Sequence, residues 1–184
     1  LSSCLGMVKY RSDLDLSVLF EPLIPQATIG ELVAQNGLQQ LRIAETEKYG
    51  HVTYFFNGGT EDVFDGEERI LIDSPRDVST YDQKPEMSAP EVTDRLVEAL
   101  ESKNHHLIVC NFANADMVGH TGNLDAAVEA MRSLDQCLER VLQAARANGF
   151  GVLLSEDHGK IEQMRTSEGK PHTQHTTGPV PLVL

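Results

Sequence analysis

The sequence predicts an α/β fold, a mostly parallel sheet flanked by helices, and three observations carry that expectation. Apolar runs and amphipathic stretches follow one another as strand, helix, strand, helix. The runs Leu107–Cys110 and Val152–Leu154 are continuously apolar, as in strands covered on both faces. No internal repeat or low-complexity tract interrupts the series, which leaves simple crossover connections as the economical topology. Two acidic residues, Asp116 and Asp157, each follow one of these strands. If the strands are parallel neighbours, both carboxylates reach one crevice beyond the strand ends.

The elements are legible one by one. Leu14–Phe20 alternates loosely like an edge strand, and Glu21–Gln26, with Pro22 and Pro25, reads as a linker. This divides the chain into a leading segment, 1–22, and the main domain, 23–184. Thr28 and Glu31 form a capping box for a helix over 29–36, stopped by Gly37. Gln40–Ala44 alternates like a strand; a second helix then carries Val52, Tyr54, Phe55 and Phe56 as core up to Gly58-Gly59. Residues 61–68 read as an acidic loop, Arg69–Asp73 as a short strand, and Ser88 with Glu91 as another capping box, Pro90 being tolerated in the first turn. Residues 116–122 read as a loop or single turn, Leu124–Ala147 as a long amphipathic helix ended by Asn148-Gly149, and Pro179–Leu184 as a final strand.

Composition limits what the protein does. The 184 residues are 40% hydrophobic, enough for one domain with a sizeable core. A net charge of −13 argues against a nucleic acid or an anionic membrane as partner. No apolar run approaches the roughly 18 residues of a membrane span. Cys4, Cys110 and Cys137 are odd in number and unrelated in spacing, so reduced thiols and a cytoplasmic location are expected. An acidic protein holds a phosphate only if something inverts the local sign, as a bound divalent cation does.

Five residues are candidates for holding such a cation: Asp116 and His120, Asp157 and His158, and His175. Imidazole and carboxylate without thiolate suit Mn²⁺, Zn²⁺, Fe²⁺ or Co²⁺ rather than a structural zinc knuckle. The four-residue spacing of Asp116 and His120 brings both to one side of a helical turn, where His175 would complete the set. Adjacent Asp157 and His158, in a turn closed by Gly159, can address either side of a metal pair. The bland alternatives are a solvated loop for the first pair and a helix-capping turn for the second. Lys48, at a strand-to-helix junction, reads first as a solvated lysine and second as a catalytic cation. His51, His105, His106 and His172 read as non-ligands.

A larger pattern joins these pieces. Arg42–Tyr49 (RIAETEKY), Phe55–Gly59 (FFNGG), Thr80–Asp82 with Pro85–Ser88, Asn114–Gly122 (NADMVGHTG), Asp157–Gly159 and His175–Pro181 occur in this order. Together they resemble the cofactor-independent (2,3-bisphosphoglycerate-independent) phosphoglycerate mutases of the alkaline phosphatase superfamily, over nearly the whole chain. The resemblance implies a glycolytic isomerase that interconverts 3-phosphoglycerate and 2-phosphoglycerate through a phosphoserine. It implies two divalent metals, usually Mn²⁺, with Mg²⁺, Zn²⁺ or Co²⁺ as alternatives, and a monomeric full-length protein. Asp116, His120 and His175 are then ligands of one metal, Asp157 and His158 of the other, and Lys48 steadies the transferring phosphoryl group. In the family the nucleophilic serine and the arginine-rich substrate domain precede this region, which makes residues 1–22 the tail of that domain, and a further stretch follows it, so the fold is expected to be incomplete at both ends and the isolated chain inactive. Lys160 stands where the family usually has asparagine, and Ser155-Glu156 where it has Thr-Ala. A metal-dependent phosphatase, a phosphopentomutase-like relative, and a non-catalytic metal-binding remnant are the rival expectations.

Overall fold

The computed structural model describes residues 4–9, 16–21, 23 and 25–184. Its centre is a parallel sheet in the order β4–β3–β5, formed by β3 (Gln40–Glu45), β4 (Glu67–Ile72) and β5 (Leu107–Asn111). All six residues of β3 are buried, because it is the middle strand and both of its faces are covered. One face presents Leu41 and Ile43 to Val92, Leu96 and Leu100 of α3 (Ala89–Ser102) and Val141 and Ala145 of α5 (Leu124–Asn148). That layer is the main core. The opposite face carries Gln40 and Arg42: Arg42 Nη2 donates to Gln40 Oε1 at 2.6 Å, Nε and Nη1 are buried without a hydrogen-bond partner, and the guanidinium lies over the Phe56 ring, 4.7 Å from the centroid.

Local chemistry explains most boundaries. At α1 (Ile29–Gln35) the capping box forms as expected: Thr28 Oγ1 accepts from Glu31 N at 3.3 Å while Glu31 Oε2 accepts from Thr28 N at 3.1 Å. The helix α5 begins with Asn123 accepting from Ala126 N and ends at Gly149, whose φ of 82° is the left-handed cap that glycine adopts without strain.

Several expectations are corrected. Ser88 does not cap α3 through its side chain; its hydroxyl donates instead to the Asp73 carbonyl at 2.7 Å, tying the helix start to the end of β4. Glu67 and Glu68 lie in β4 rather than in an acidic loop, because the Glu67 carboxylate is neutralised by Arg69 Nε at 2.6 Å and by Asn57 Nδ2 at 2.9 Å. The helix after β3 is α2 (Thr46–Gly50), which widens into a π-helical turn over His51–Phe55. That widening turns Tyr54 and Phe55 outward, 37% and 64% exposed, instead of into the core.

The ends of the chain differ most from the expectation. In place of one edge strand, β1 (Leu5–Gly6) and β2 (Ser17–Val18) form a two-residue parallel pair; Leu14 and Asp15 of the expected strand lie outside the described residues, as do Pro22 and Ile24 of the linker. The strand before Asp157 is β6 (Leu154–Ser155), and it pairs antiparallel with β7 (Leu182–Val183), apart from the central sheet. Asp157 is thus not delivered by a parallel neighbour of β5. Apolar patterning marks a strand but does not choose its partner. Among the described residues, no helix is long and apolar enough to cross a membrane.

Candidate metal centre

The site begins where β5 ends. The chain turns at once into α4 (Asn114–Gly119), a short helix where a loop or single turn was expected, and the side chain of Asn114 anchors it by donating to the carbonyls of Pro85 and Glu86 at 2.9 and 2.8 Å. One helical turn then sets His120 Nε2 3.0 Å from Asp116 Oδ1. His175, arriving on a separate loop, places its own Nε2 3.1 Å from the same oxygen and 3.0 Å from that of His120.

This crowding has a chemical meaning. His120 Nδ1 lies 2.8 Å from the Thr173 carbonyl, which can only accept, so Nδ1 carries a proton, and in the neutral form of the ring the lone pair of Nε2 faces Asp116. At 3.0 Å from a carboxylate oxygen that lone pair is repulsive unless a proton or a metal ion lies between them. For metal–ligand bonds of roughly 2.1 Å at tetrahedral or octahedral angles, neighbouring donors stand about 3.0–3.4 Å apart. The three donors meet that condition, and among the described residues they are the one such group of three. The residues therefore fit a divalent cation.

The second oxygen of Asp116 is held separately. Lys48 Nζ donates to Asp116 Oδ2 at 2.6 Å. Burial alone would push the Asp116 carboxyl up, but the hydrogen bond and charge of Lys48 outweigh it and hold the group below the usual carboxylate range. Lys48 is 3% exposed, which corrects the reading of a solvated lysine. Its position follows from β3: Glu45 ends the strand with its carboxylate buried, accepting from Ser74 Oγ at 2.8 Å and Ser88 N at 3.4 Å, and burial pushes that carboxyl up. Glu47 accepts from Tyr81 Oη at 2.5 Å. These contacts fix the turn from which Lys48 reaches across the sheet end.

Asp157 and His158 gather more loosely around the same lysine. Asp157 Oδ2 lies 3.7 Å from Lys48 Nζ and 3.8 Å from His51 Nε2, and Asp157 Oδ1 lies 3.7 Å from His158 Nε2. The His158 ring stacks on His175, centroids 3.7 Å apart. All five sequence-selected ligands and Lys48 thus fall in one place. A cavity of about 270 Å³ adjoins them, with Lys48, Asp116, Asp157, His158 and Lys160 on its polar side and Met131, Leu134 and Leu138 of α5 on its apolar side. Sequence reasoning missed one neighbour. His51 follows Lys48 by three residues on a helical segment, a spacing that signals a shared face. Lys160, singled out in the sequence as standing where the family usually has asparagine, is buried beside the site.

Comparison with known proteins identifies the family of the chain. The Metalloenzyme superfamily matches residues 20–184. A 2,3-bisphosphoglycerate-independent phosphoglycerate mutase of Chromohalobacter salexigens is 56% identical over 178 residues, 96% of this chain and 34% of that protein. One from Legionella pneumophila (strain Corby) is 51% identical over 184 residues, 100% of this chain and 36% of that protein. The crystal structure of Leishmania mexicana phosphoglycerate mutase at low cobalt concentration superposes with a TM-score of 0.86 at 32% identity, covering 97% of this chain and 35% of that one. The chain spans about a third of the length of the curated relatives it matches.

Proposed function

Because this chain belongs to the Metalloenzyme superfamily, we propose that it forms the metal-holding part of a 2,3-bisphosphoglycerate-independent phosphoglycerate mutase, exchanging a phosphoryl group between the two hydroxyls of phosphoglycerate. The observation that carries this reading is the convergence of Asp116 Oδ1, His120 Nε2 and His175 Nε2 within 3.1 Å of one another, with Lys48 on the other oxygen of Asp116. Similarity along the whole chain to mutases of that name supports the substrate.

In this reading Asp116, His120 and His175 hold one divalent ion and Asp157 with His158 contribute to a second, both Mn²⁺. Bound there, the ions would supply positive charge to the phosphate oxygens and lower the pKa of an attacking hydroxyl. The protein's own groups do the rest. The Thr173 carbonyl keeps the proton of His120 on Nδ1, leaving Nε2 free to ligate. Lys48 keeps Asp116 ionised and stands between the two acidic groups, 2.6 Å from Asp116 and 3.7 Å from Asp157, where a transferring phosphoryl group would meet its ammonium. The Met131, Leu134 and Leu138 wall of the adjoining cavity limits water on that side.

The test is an assay of the metal-stripped full-length protein with 3-phosphoglycerate. Addition of Mn²⁺ should restore formation of 2-phosphoglycerate without release of inorganic phosphate. Net phosphate release, with no isomerisation, would replace the mutase reading by that of a metal-dependent phosphatase in the same superfamily.

A further inference from the structure

Lys160 is 3% exposed although it directly follows the Asp157–Gly159 turn. Its stem lies along the backbone of α4: a Cβ added at Gly119 would stand 3.0 Å from Lys160 Cγ and 3.5 Å from its Nζ. Its ammonium donates to the His172 carbonyl at 3.2 Å, three residues before His175. Among the described residues no carboxylate lies within ion-pair distance of this ammonium, so its one polar contact is that carbonyl. A single side chain therefore touches α4, which carries Asp116 and ends against His120, and the loop that carries His175, while itself springing from the turn that carries Asp157 and His158.

We infer that Lys160 is a positioning residue, a strut that holds the His175 loop against α4 and so preassembles the three-donor group for a divalent cation. This rests on the metal-centre reading above. Among the described residues, the other hydrogen bonds of this loop reach α4 only through the candidate ligands themselves. The His175 side chain is 48% exposed; its segment is held elsewhere by His172 N on the Met164 carbonyl at 2.9 Å, by the backbone pair of Gly159 O with Thr176 N at 2.9 Å and by the Thr176 hydroxyl on Glu162, and toward α4 by the contact of His120 with Thr173 O. The last of these uses a ligand as its own anchor. A donor on a loose loop loses conformational freedom when it ligates, and a contact that removes this freedom beforehand raises affinity. Charge acts in the opposite sense, because a fixed ammonium near the donors repels an arriving cation. The two effects differ in sign, which makes the inference decidable.

The experiment is a Mn²⁺ titration of the metal-stripped full-length protein, reading free Mn²⁺ by electron paramagnetic resonance. Lys160→Met keeps most of the stem and removes the donor; it should weaken Mn²⁺ binding about tenfold. Gly119→Ala pushes on the same stem from the other side and should also weaken binding, but the same substitution made together with Lys160→Ala should add little, since no stem remains to be displaced. If Lys160→Met does not fold, this Gly119 pair reads the same contact. Equal or tighter binding by Lys160→Met, or equal effects of Gly119→Ala with and without the lysine stem, would overturn the strut while leaving the metal centre standing. Failure of the unmodified protein to bind Mn²⁺ would overturn both.

Discussion

Asp116, His120 and His175 stand 3.0–3.1 Å apart, whereas Asp157 meets His158, Lys48 and His51 at 3.7–3.8 Å. The difference lies in how each half of the site is mounted. The trio draws one donor from α4 and a second from its C-cap, one helical turn on, and a third from a loop bonded back to His120 through Thr173. The pair consists of adjacent residues in a bend, with no helical turn to bring their donor atoms closer than 3.7 Å. Helical spacing converges donors; adjacency spreads them. Burial divides the carboxylates in the same way, with the Asp116 side chain 13% exposed and that of Asp157 38%, but not the imidazoles, since His158 is less exposed than His120 or His175.

Substitutions can break this comparison. The largest effect is expected from His120→Ala, which should lower Mn²⁺ affinity by roughly 100-fold or more, because it removes a donor from the complete group rather than one of its supports. His158→Ala should cost distinctly less, and an equal loss in the two titrations would erase the distinction between the halves. Next is Lys48→Met in the metal-free protein. Removing the cation strands a mostly buried carboxylate, so unfolding in urea should reveal a loss of about 3 kcal/mol. Double-mutant cycles sharpen the contrast: coupling of Lys48 to Asp116 should be large, and coupling to the more exposed Asp157 at 3.7 Å about 0.5 kcal/mol or less, since solvent screens that pair.

The smallest effect concerns the support beneath Lys48. Burial, followed by the Glu47 carboxylate, pushes the Tyr81 hydroxyl up to about 12. In the unfolded chain a tyrosine ionises near pH 10. The folded state therefore holds this proton more tightly, and the contribution is whole below about pH 10 and lost as pH rises from there toward 12. Tyr81→Phe should cost about 1 kcal/mol near pH 8 and flatten the alkaline part of the stability profile. An unchanged slope above pH 10 would show that Tyr81 does not clamp the strand end.

Much of this was open to reading in the residues. Thr28 and Glu31 announced the start of α1, Gly149 the end of α5, and the spacing of Asp116 and His120 a shared side of a helical turn. Each of these depends on contacts a few residues apart, which sequence patterns report directly. Ser88 shows the limit. Its motif matched a capping box, yet the hydroxyl took the Asp73 carbonyl instead, because a partner folded alongside competed successfully with the local one. Tyr54 and Phe55 failed for a related reason: the π-helical turn shifted the angular position of every side chain after Gly50.

By itself, then, the chain determined its strands and helices, the residue types able to hold a divalent cation, and through its motifs the family to which it belongs. Tertiary structure alone decided that β6 pairs with β7 outside the central sheet, that Lys48 and Lys160 are buried cations rather than solvated ones, and that His51 faces Asp157. The physical reason is range. Propensity, capping and periodicity act within a turn or two, whereas strand partnership and the burial of a charge depend on groups such as Asp116, 68 positions from Lys48, that only the folded chain brings near.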